Sequence, residues 1–431
     1  MNTQEKNFWL TTAEMPLAPV RPLPESADVA VIGAGFTGLS AARILAKAGA
    51  RVVVLDAESV GWGASCRNGG MVLSGLKLGI PALMKQYGRE ATRRMYAASL
   101  ESIDCVEGIV REEGIACDFA RCGHLEVACK AKHFQQFQRG AETIEREFGR
   151  RVKIVEKKDL RAEIGSTIYH GGMVDEVSAG VNPAQYVAGL GCAAAKAGAE
   201  IHEKTRAMQL EREPRVGATG WRVMTSRGLL WAKDVLVATS GYTSEVTPAL
   251  QRKLIPIGSF IIVTQVLREE LARELSPRNR MIYDSKNYLF YFRLTPDRRM
   301  LFGGRAAFFP ENKNTVRESA RILRDGMISV YPQLRDVRVE FVWGGTLDFA
   351  FDIMPHAGRL GGMYFSVGYA GHGVAMATLL GKKMAEAILT GRDENPFAGI
   401  EFPGAPLGMY NGKPWFLPLA GAWYKFLDWV S

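Results

Sequence analysis

Two short apolar runs, residues 28–32 (D-V-A-V-I) and 51–55 (R-V-V-V-L), have the unbroken hydrophobicity of strands buried on both faces. Residues 39–47 between them have helical character. Helical patterning returns over 81–115, with Met84, Tyr87, Met95, Leu100 and Val106 as inward positions, and over the charge-rich 131–165. Residues 123–129 (G-H-L-E-V-A-C) read as a strand. Asn182 and Pro183 have the chemistry of an N-cap and a first helical residue, opening a helix that Gly198 closes. A strand at 200–203, a hairpin turning at Arg227-Gly228 and a buried strand ending V-A-T-S-G follow. From 257 to 304 the pattern turns strand-rich. There N-Y-L-F-Y-F-R-L (287–294) alternates, with Tyr288, Phe290 and Phe292 on one face and Leu289, Tyr291 and Arg293 on the other. Residues 313–335 are helical, 337–345 and 363–368 are strands, and Y-A-G-H-G-V then leads into a helix ending near 389. Pro16, Pro19, Pro22 and Pro24 make residues 1–27 an extended arm on the surface.

A β-α-β unit beside strand-rich antiparallel sequence predicts an α/β domain and a second, α+β domain. The length of 431 residues, more than one core serves, agrees. Neither a membrane-spanning run nor a secretory signal is expected. The net charge of +9 is spread among acids and apolar residues, which predicts a solvated surface and not a nucleic-acid face. It also favours approach of anionic substrates. The six cysteines form no C-x-x-C and no zinc spacing, so reduced thiols, a cytoplasmic location and no metal are expected.

The first strand runs directly into G-A-G-F-T-G (33–38), a G-x-G-x-x-G that opens the helix, and the second strand ends on Asp56. In that setting Gly33 permits the turn, Gly35 lets backbone approach a pyrophosphate and Gly38 lets helix and sheet close together. Phe36 and Thr37 stand at the helix N-terminus, whose free N–H groups suit phosphate. Asp56 and the adjoining Ala57 lie where a carboxylate accepts ribose hydroxyls.

Together with this fingerprint, G-W-G-A-S-C-R-N-G-G (61–70) and G-Y-A-G-H-G-V (368–374) resemble the glycine/D-amino-acid oxidase (DAO) family of flavoproteins, over nearly the whole chain. Within it, the likeness is to γ-glutamylputrescine and pipecolate oxidases. The resemblance implies a Rossmann-like FAD-binding domain with a discontinuous second α+β substrate domain built on an antiparallel sheet. The division expected is 28–80, 181–247 and 353–400 for FAD, and 81–180 and 248–352 for substrate. Residues 1–27 are the arm and 401–431 an aromatic tail. Gly63, Ala64, Ser65, Arg67, Asn68, Gly69 and Gly70 would pass beneath the flavin, with Arg67 as counter-charge. Cys66 replaces a glycine common in relatives, and reads as a buried small residue or as a group that perturbs the flavin or links to it covalently. Gly371, His372, Gly373 and Val374 would meet the flavin pyrimidine edge, Thr239 and Gly241 its pyrophosphate side, and Gly345 its ring.

Substrate positions are less determined. Tyr288 or Tyr291 and Arg305, with His372, are the catalytic or cavity candidates; Trp343, Gly344 and Asp352 are further ones. The reaction implied is oxidation of the C–N bond of an amine or amino acid to an imine by hydride transfer to flavin N5, then hydrolysis, with O2 or another acceptor reoxidising the flavin. Lys77 and Lys253 are the lysines considered for oxygen activation. A 2-hydroxy-acid dehydrogenase and a non-catalytic FAD-binding subunit are the alternatives. The tail, with Trp415, Trp423, Tyr424, Phe426 and Trp429, is expected to pack back on the protein or a second subunit in preference to a membrane surface.

Overall fold

The computed structural model describes residues 3–16, 21–215, 218–307, 314–408 and 410–430. Ser26–Ile32 lies between Val52–Leu55 and Gly228–Val237 and runs parallel to both. Glu200–His202 and Met363–Val367 extend this parallel sheet on its two sides, and His356–Leu360 closes one edge. The hairpin Ala207–Arg215/Ala218–Thr225 pairs with the outer end of Gly228–Val237. Helix Phe36–Lys47 packs between Pro183–Lys196 and Gly373–Thr390, and a Cβ at Gly381 would run into the Thr37 carbonyl.

A second sheet has the order Val339–Ala350, Leu254–Thr264, Met300–Ala307, Tyr291–Leu294, Met281–Asp284, His124–Val127, Gly171–Asp175, Lys153–Glu156. All its pairs are antiparallel except Met281–Asp284 with His124–Val127. Pleating gives it two unlike faces. Leu125, Val174, Ile282, Phe292 and Phe302 point outward into a core shared with Leu323 and Met327 of helix Thr315–Val330. Ile261, Leu301 and Trp343 point inward and join the core of the parallel sheet.

Three expectations are corrected. The arm is not confined to the surface. Phe8 and Trp9 are buried, Gln4 bridges to Phe341, and Trp9 Nε1 donates to Asn68 O at 2.9 Å. The helix over 131–165 stops at Phe148, where Gly149 takes φ 63°; Lys153–Glu156 then forms the charged edge strand that shields a sheet margin. In 287–294 only Tyr291–Leu294 is strand, because the amides of Asn287 and Tyr288 donate to Asp428 and that of Phe290 donates to Asp284. Helix Ile80–Glu113, broken in pattern at Gly88 (φ 79°), sends Met95, Ile103 and Val106 into the core of the parallel sheet.

Asn182 caps its helix as expected, accepting from the amides of Ala184 and Gln185. In the tail, Phe416 and Leu417 pack against Ile257 and Phe349, while Trp415, Leu419 and Trp423 stay exposed. The side chains of Tyr424, Phe426 and Trp429 lie outside the described residues. No described helix is long and apolar enough to cross a membrane.

Candidate functional site

A cleft opens at the C-terminal ends of the parallel strands, where this kind of sheet binds its ligands. It is lined by residues 32–37, 55–58, 61–65, 237–240 and 346–348 in part, and by the Tyr369–Val374 turn. The three fingerprint glycines are each required by space. Gly33 has φ 111°, and a Cβ there would sit 2.6 Å from Ala238 O. A Cβ at Gly35 would lie 2.8 Å from Ser65 Oγ, and one at Gly38 would overlap the Gly33 carbonyl. This is a cradle that any side chain would fill, and it fits a dinucleotide diphosphate.

Asp56 holds the cradle's shape. Its Oδ2 accepts from Ala34 N at 2.7 Å and its Oδ1 from Glu58 N at 2.8 Å. Each oxygen keeps a lone pair for a ribose hydroxyl. Burial raises its pKa against the two backbone bonds. Ala57 lines the cleft beside it.

The second glycine-rich segment is locked from several sides. Ser65 Oγ accepts from Phe36 N at 3.0 Å, tying this loop to the helix start. Asn68 caps the short Ala64–Arg67 helix through Ala64 O and Ser65 O and receives Gly70 N at 2.7 Å. Gly63, Ala64, Ser65 and Asn68 line the cleft. Arg67 does not, because its guanidinium donates to Trp62 O and Gly344 O and lies over the Trp62 ring. Gly345 backs onto Arg67, and Gly69 onto the Tyr291 ring. Cys66 points into the core with no exposure, and burial pushes its thiol up to about 12.

On the far wall, Thr239 lines the cleft while Gly241 packs against the carbonyls of Thr346 and Leu347. Trp62, Tyr242, Asp348 and Tyr369 complete the wall, and the sequence reading missed them. Asp348 accepts from Gly368 N at 2.6 Å, and Tyr369 Oη bonds Thr37 Oγ1 at 2.6 Å, so both fasten the Gly368–Gly373 turn. That turn delivers the start of helix Gly373–Thr390, with His372 as its N-cap residue. Gly371, Gly373 and Val374 line the cleft there. His372 Nδ1 is buried without a formed hydrogen bond, and burial, helped by the Lys77 charge, pushes the ring down to about 4.

The other sequence candidates separate. Tyr291 lies on the inner face of the second sheet, 3.4 Å from Ser259 Oγ, and burial pushes its phenol up to about 12. Tyr288 is remote, with its hydroxyl donating to Gly421 O beneath the tail helix. The side chain of Arg305 lies outside the described residues. Arg293 is buried and donates to Gly70 O at 2.9 Å and Val181 O at 3.0 Å. Trp343 Nε1 donates to Arg67 O. Asp352 accepts from Tyr87 and pairs with His356. Lys253 is held by Phe402 O, away from the cleft.

Beyond the His372 turn, the inner sheet face presents Glu126 and Tyr283, which are register partners, and Lys77 from the loop before residue 80. All three are half-buried. Burial pushes Glu126 up to about 7 and lowers Lys77. The Lys77 charge acts on both Glu126 and His372. The sequence reading did not single out Glu126; the signal lay in H-L-E-V, where Leu125 and Val127 take the apolar face and leave His124 and Glu126 on the other.

Residues 28–387 match the family model described as FAD dependent oxidoreductase (DAO). The probable oxidoreductase OrdL of Haemophilus influenzae is 34% identical over 416 residues, covering 94% of this chain and 92% of that protein. Gamma-glutamylputrescine oxidoreductase of Escherichia coli is 31% identical over 432 residues, covering 99% of each. Among solved structures, glycine oxidase from Geobacillus kaustophilus superposes with a TM-score of 0.75 at 19% identity, covering 88% of this chain and 99% of that one. At that identity the likeness is one of fold.

Proposed function

Because the chain belongs to the FAD dependent oxidoreductase (DAO) family, we propose that this FAD enzyme oxidises the C–N bond of an amine or amino acid to an imine, which water hydrolyses. The observation that carries the reading is the meeting of the glycine-built cleft with the inner sheet face. The cleft ends at the Gly371–Gly373 turn, while Gly69 of the second glycine-rich segment backs onto the Tyr291 ring, whose register partner is Tyr283 and next along the sheet Glu126. The relatedness to gamma-glutamylputrescine oxidoreductase over 99% of each chain favours an amine substrate.

Bound FAD supplies the two-electron acceptor. The chain's own residues do the rest. Gly33, Gly35 and Gly38 bring backbone against the diphosphate, and Asp56 offers lone pairs to the ribose. The free amides at the start of Gly373–Thr390 favour negative charge at the far end of the cleft. His372, kept neutral by burial, adds no charge there at neutral pH. The inner sheet face excludes water and orients the substrate. Residues 81–180 and 248–352 supply that sheet face and are proposed as the substrate domain. Lys77 is the group proposed to favour reoxidation by O2. The six free thiols suit a reducing compartment, and the cytoplasm is proposed.

The test is anaerobic titration of the purified flavoprotein with amines, amino acids and 2-hydroxy acids, following flavin absorbance. Bleaching by an amine class is the expected result. Bleaching by hydroxy acids alone would overturn the reading. Lys77→Met is expected to slow reoxidation by O2 while leaving anaerobic reduction measurable.

A further inference from the structure

Glu126 has no partner among the described residues that explains its place. It sits mid-strand in His124–Val127, in register with Met173 and Tyr283 on the neighbouring strands, so all three project from the inner face. Its carboxylate makes no hydrogen bond or ion pair among the described residues. Lys77 acts on it through space without pairing. The other charged groups nearby are already engaged. Asp284 pairs with Lys286. Asp175 receives Arg150 and Ser74. His124 bonds Ser178 and reaches Tyr283. His372 is held neutral. A half-buried carboxylate whose neighbours are all engaged keeps its lone pairs for a ligand.

Resting on the functional reading above, we propose that Glu126 receives the ammonium group of the substrate and accepts its proton, making it the residue that selects amines. The step converts R–CH2–NH3+ and the Glu126 carboxylate into R–CH2–NH2 and the Glu126 carboxylic acid. One N–H bond breaks, one O–H bond forms, the net charge is unchanged and no electrons leave either partner. The neutral amine is the form whose adjacent C–H can depart as hydride. A carboxyl poised near neutrality can both attract the cation and hold its proton. A hydroxy acid offers this carboxylate no cation, so the same residue discriminates against it.

The probe is tert-butylammonium, which has no hydrogen on the carbon beside nitrogen and is not oxidised in this way. Its binding to holoenzyme is read from the perturbation of flavin absorbance across pH, with tert-butanol as the neutral comparison. Wild type is expected to bind the ammonium more tightly as pH rises through the Glu126 titration. Glu126→Gln is expected to lose about tenfold or more in affinity and the pH step with it, while tert-butanol behaves alike in both. Glu126→Asp should restore the step in part. Lys77→Met should move it to higher pH, since removing the cation raises the carboxyl's proton affinity.

Equal binding and equal pH profiles in wild type and Glu126→Gln would overturn the proposal. So would absence of ammonium binding in wild type, or a Lys77→Met step that does not move. If amines bleach the flavin as well in Glu126→Gln as in wild type, this inference fails and the functional reading stands. If no amine bleaches it, yet tert-butylammonium binding depends on Glu126, the reverse holds.

Discussion

In the cleft beside Ile32 the surface offered to a ligand is largely backbone, whereas the inner face of the antiparallel sheet offers side chains. The cleft is shaped by positions where a side chain has no room, such as Gly33, Gly35 and Gly38. The sheet face is shaped by register, which sets Glu126 beside Tyr283 and Tyr283 beside Tyr291. A surface made by exclusion tolerates almost no substitution. A surface made by side chains can change its substrate without losing the fold.

The largest effect expected follows from that difference. Gly38→Ala puts a methyl into the Gly33 carbonyl, with Val31 Cγ1 3.0 Å away on the other side. Helix Phe36–Lys47 must then lift from its sheet. Gly38→Ala should purify without flavin, read as the ratio of flavin to protein absorbance. A full complement of FAD would break the contrast drawn here. Glu126→Gln, by contrast, should keep its flavin.

Trp9→Ala comes next. Trp9 is fully buried, packs at 5.3 Å from Phe8 and holds the carbonyl of Asn68 in the flavin loop. Large-to-small changes of this kind cost about 3–5 kcal/mol. Thermal unfolding should register that loss, and flavin should dissociate more readily because the loop loses its brace. Stability lost with no change in FAD affinity would confine the arm to a core role.

A smaller effect is expected from Arg67→Leu. The guanidinium ties Trp62 O to Gly344 O and so joins the flavin loop to the inner sheet. Two hydrogen bonds from a charged donor are lost, each worth about 1.5–3 kcal/mol at most when buried, and less here because the group is partly exposed. FAD affinity should fall several-fold and not collapse. Total loss of flavin would mean that Arg67 contacts the diphosphate in the loaded protein.

These contrasts also explain how much could be read from the chain alone. The cleft was legible because strand, turn, helix and terminal acid lie within residues 26–56, and their spacing is itself the geometry. Glu126 was half legible, since H-L-E-V assigns it a face but not what the face meets; that depends on residues 173 and 283. Arg67 was expected as a counter-charge because a cation in a glycine-rich loop looks like an anion site, yet its guanidinium is taken up by the carbonyls of Trp62 and Gly344. The buried arm was missed because its prolines pointed to an extended surface segment, whereas Phe8 and Trp9 before them enter the core.

The smallest effect separates the two regions by pH. The carboxyl of Glu126 is raised in the folded state to about 7, above its ordinary 4.5. Its contribution to stability is therefore complete below pH 4.5 and is lost as pH rises toward 7. His372, at the cleft, runs the other way. Its ring is lowered to about 4 from 6.5, so its contribution is present above pH 6.5 and is lost as pH falls toward 4. Glu126→Gln removes only the alkaline loss. Its melting temperature should match wild type near pH 4.5 and exceed it by about 1–2 °C at pH 8. His372→Asn should relieve only part of the acid loss, because His124 is lowered in the same way and remains. If Glu126→Gln instead matches wild type at both pH values, the carboxyl is solvated and the inner face is open to water. The contrast between a closed inner sheet face and a cleft held by backbone would then have to be redrawn.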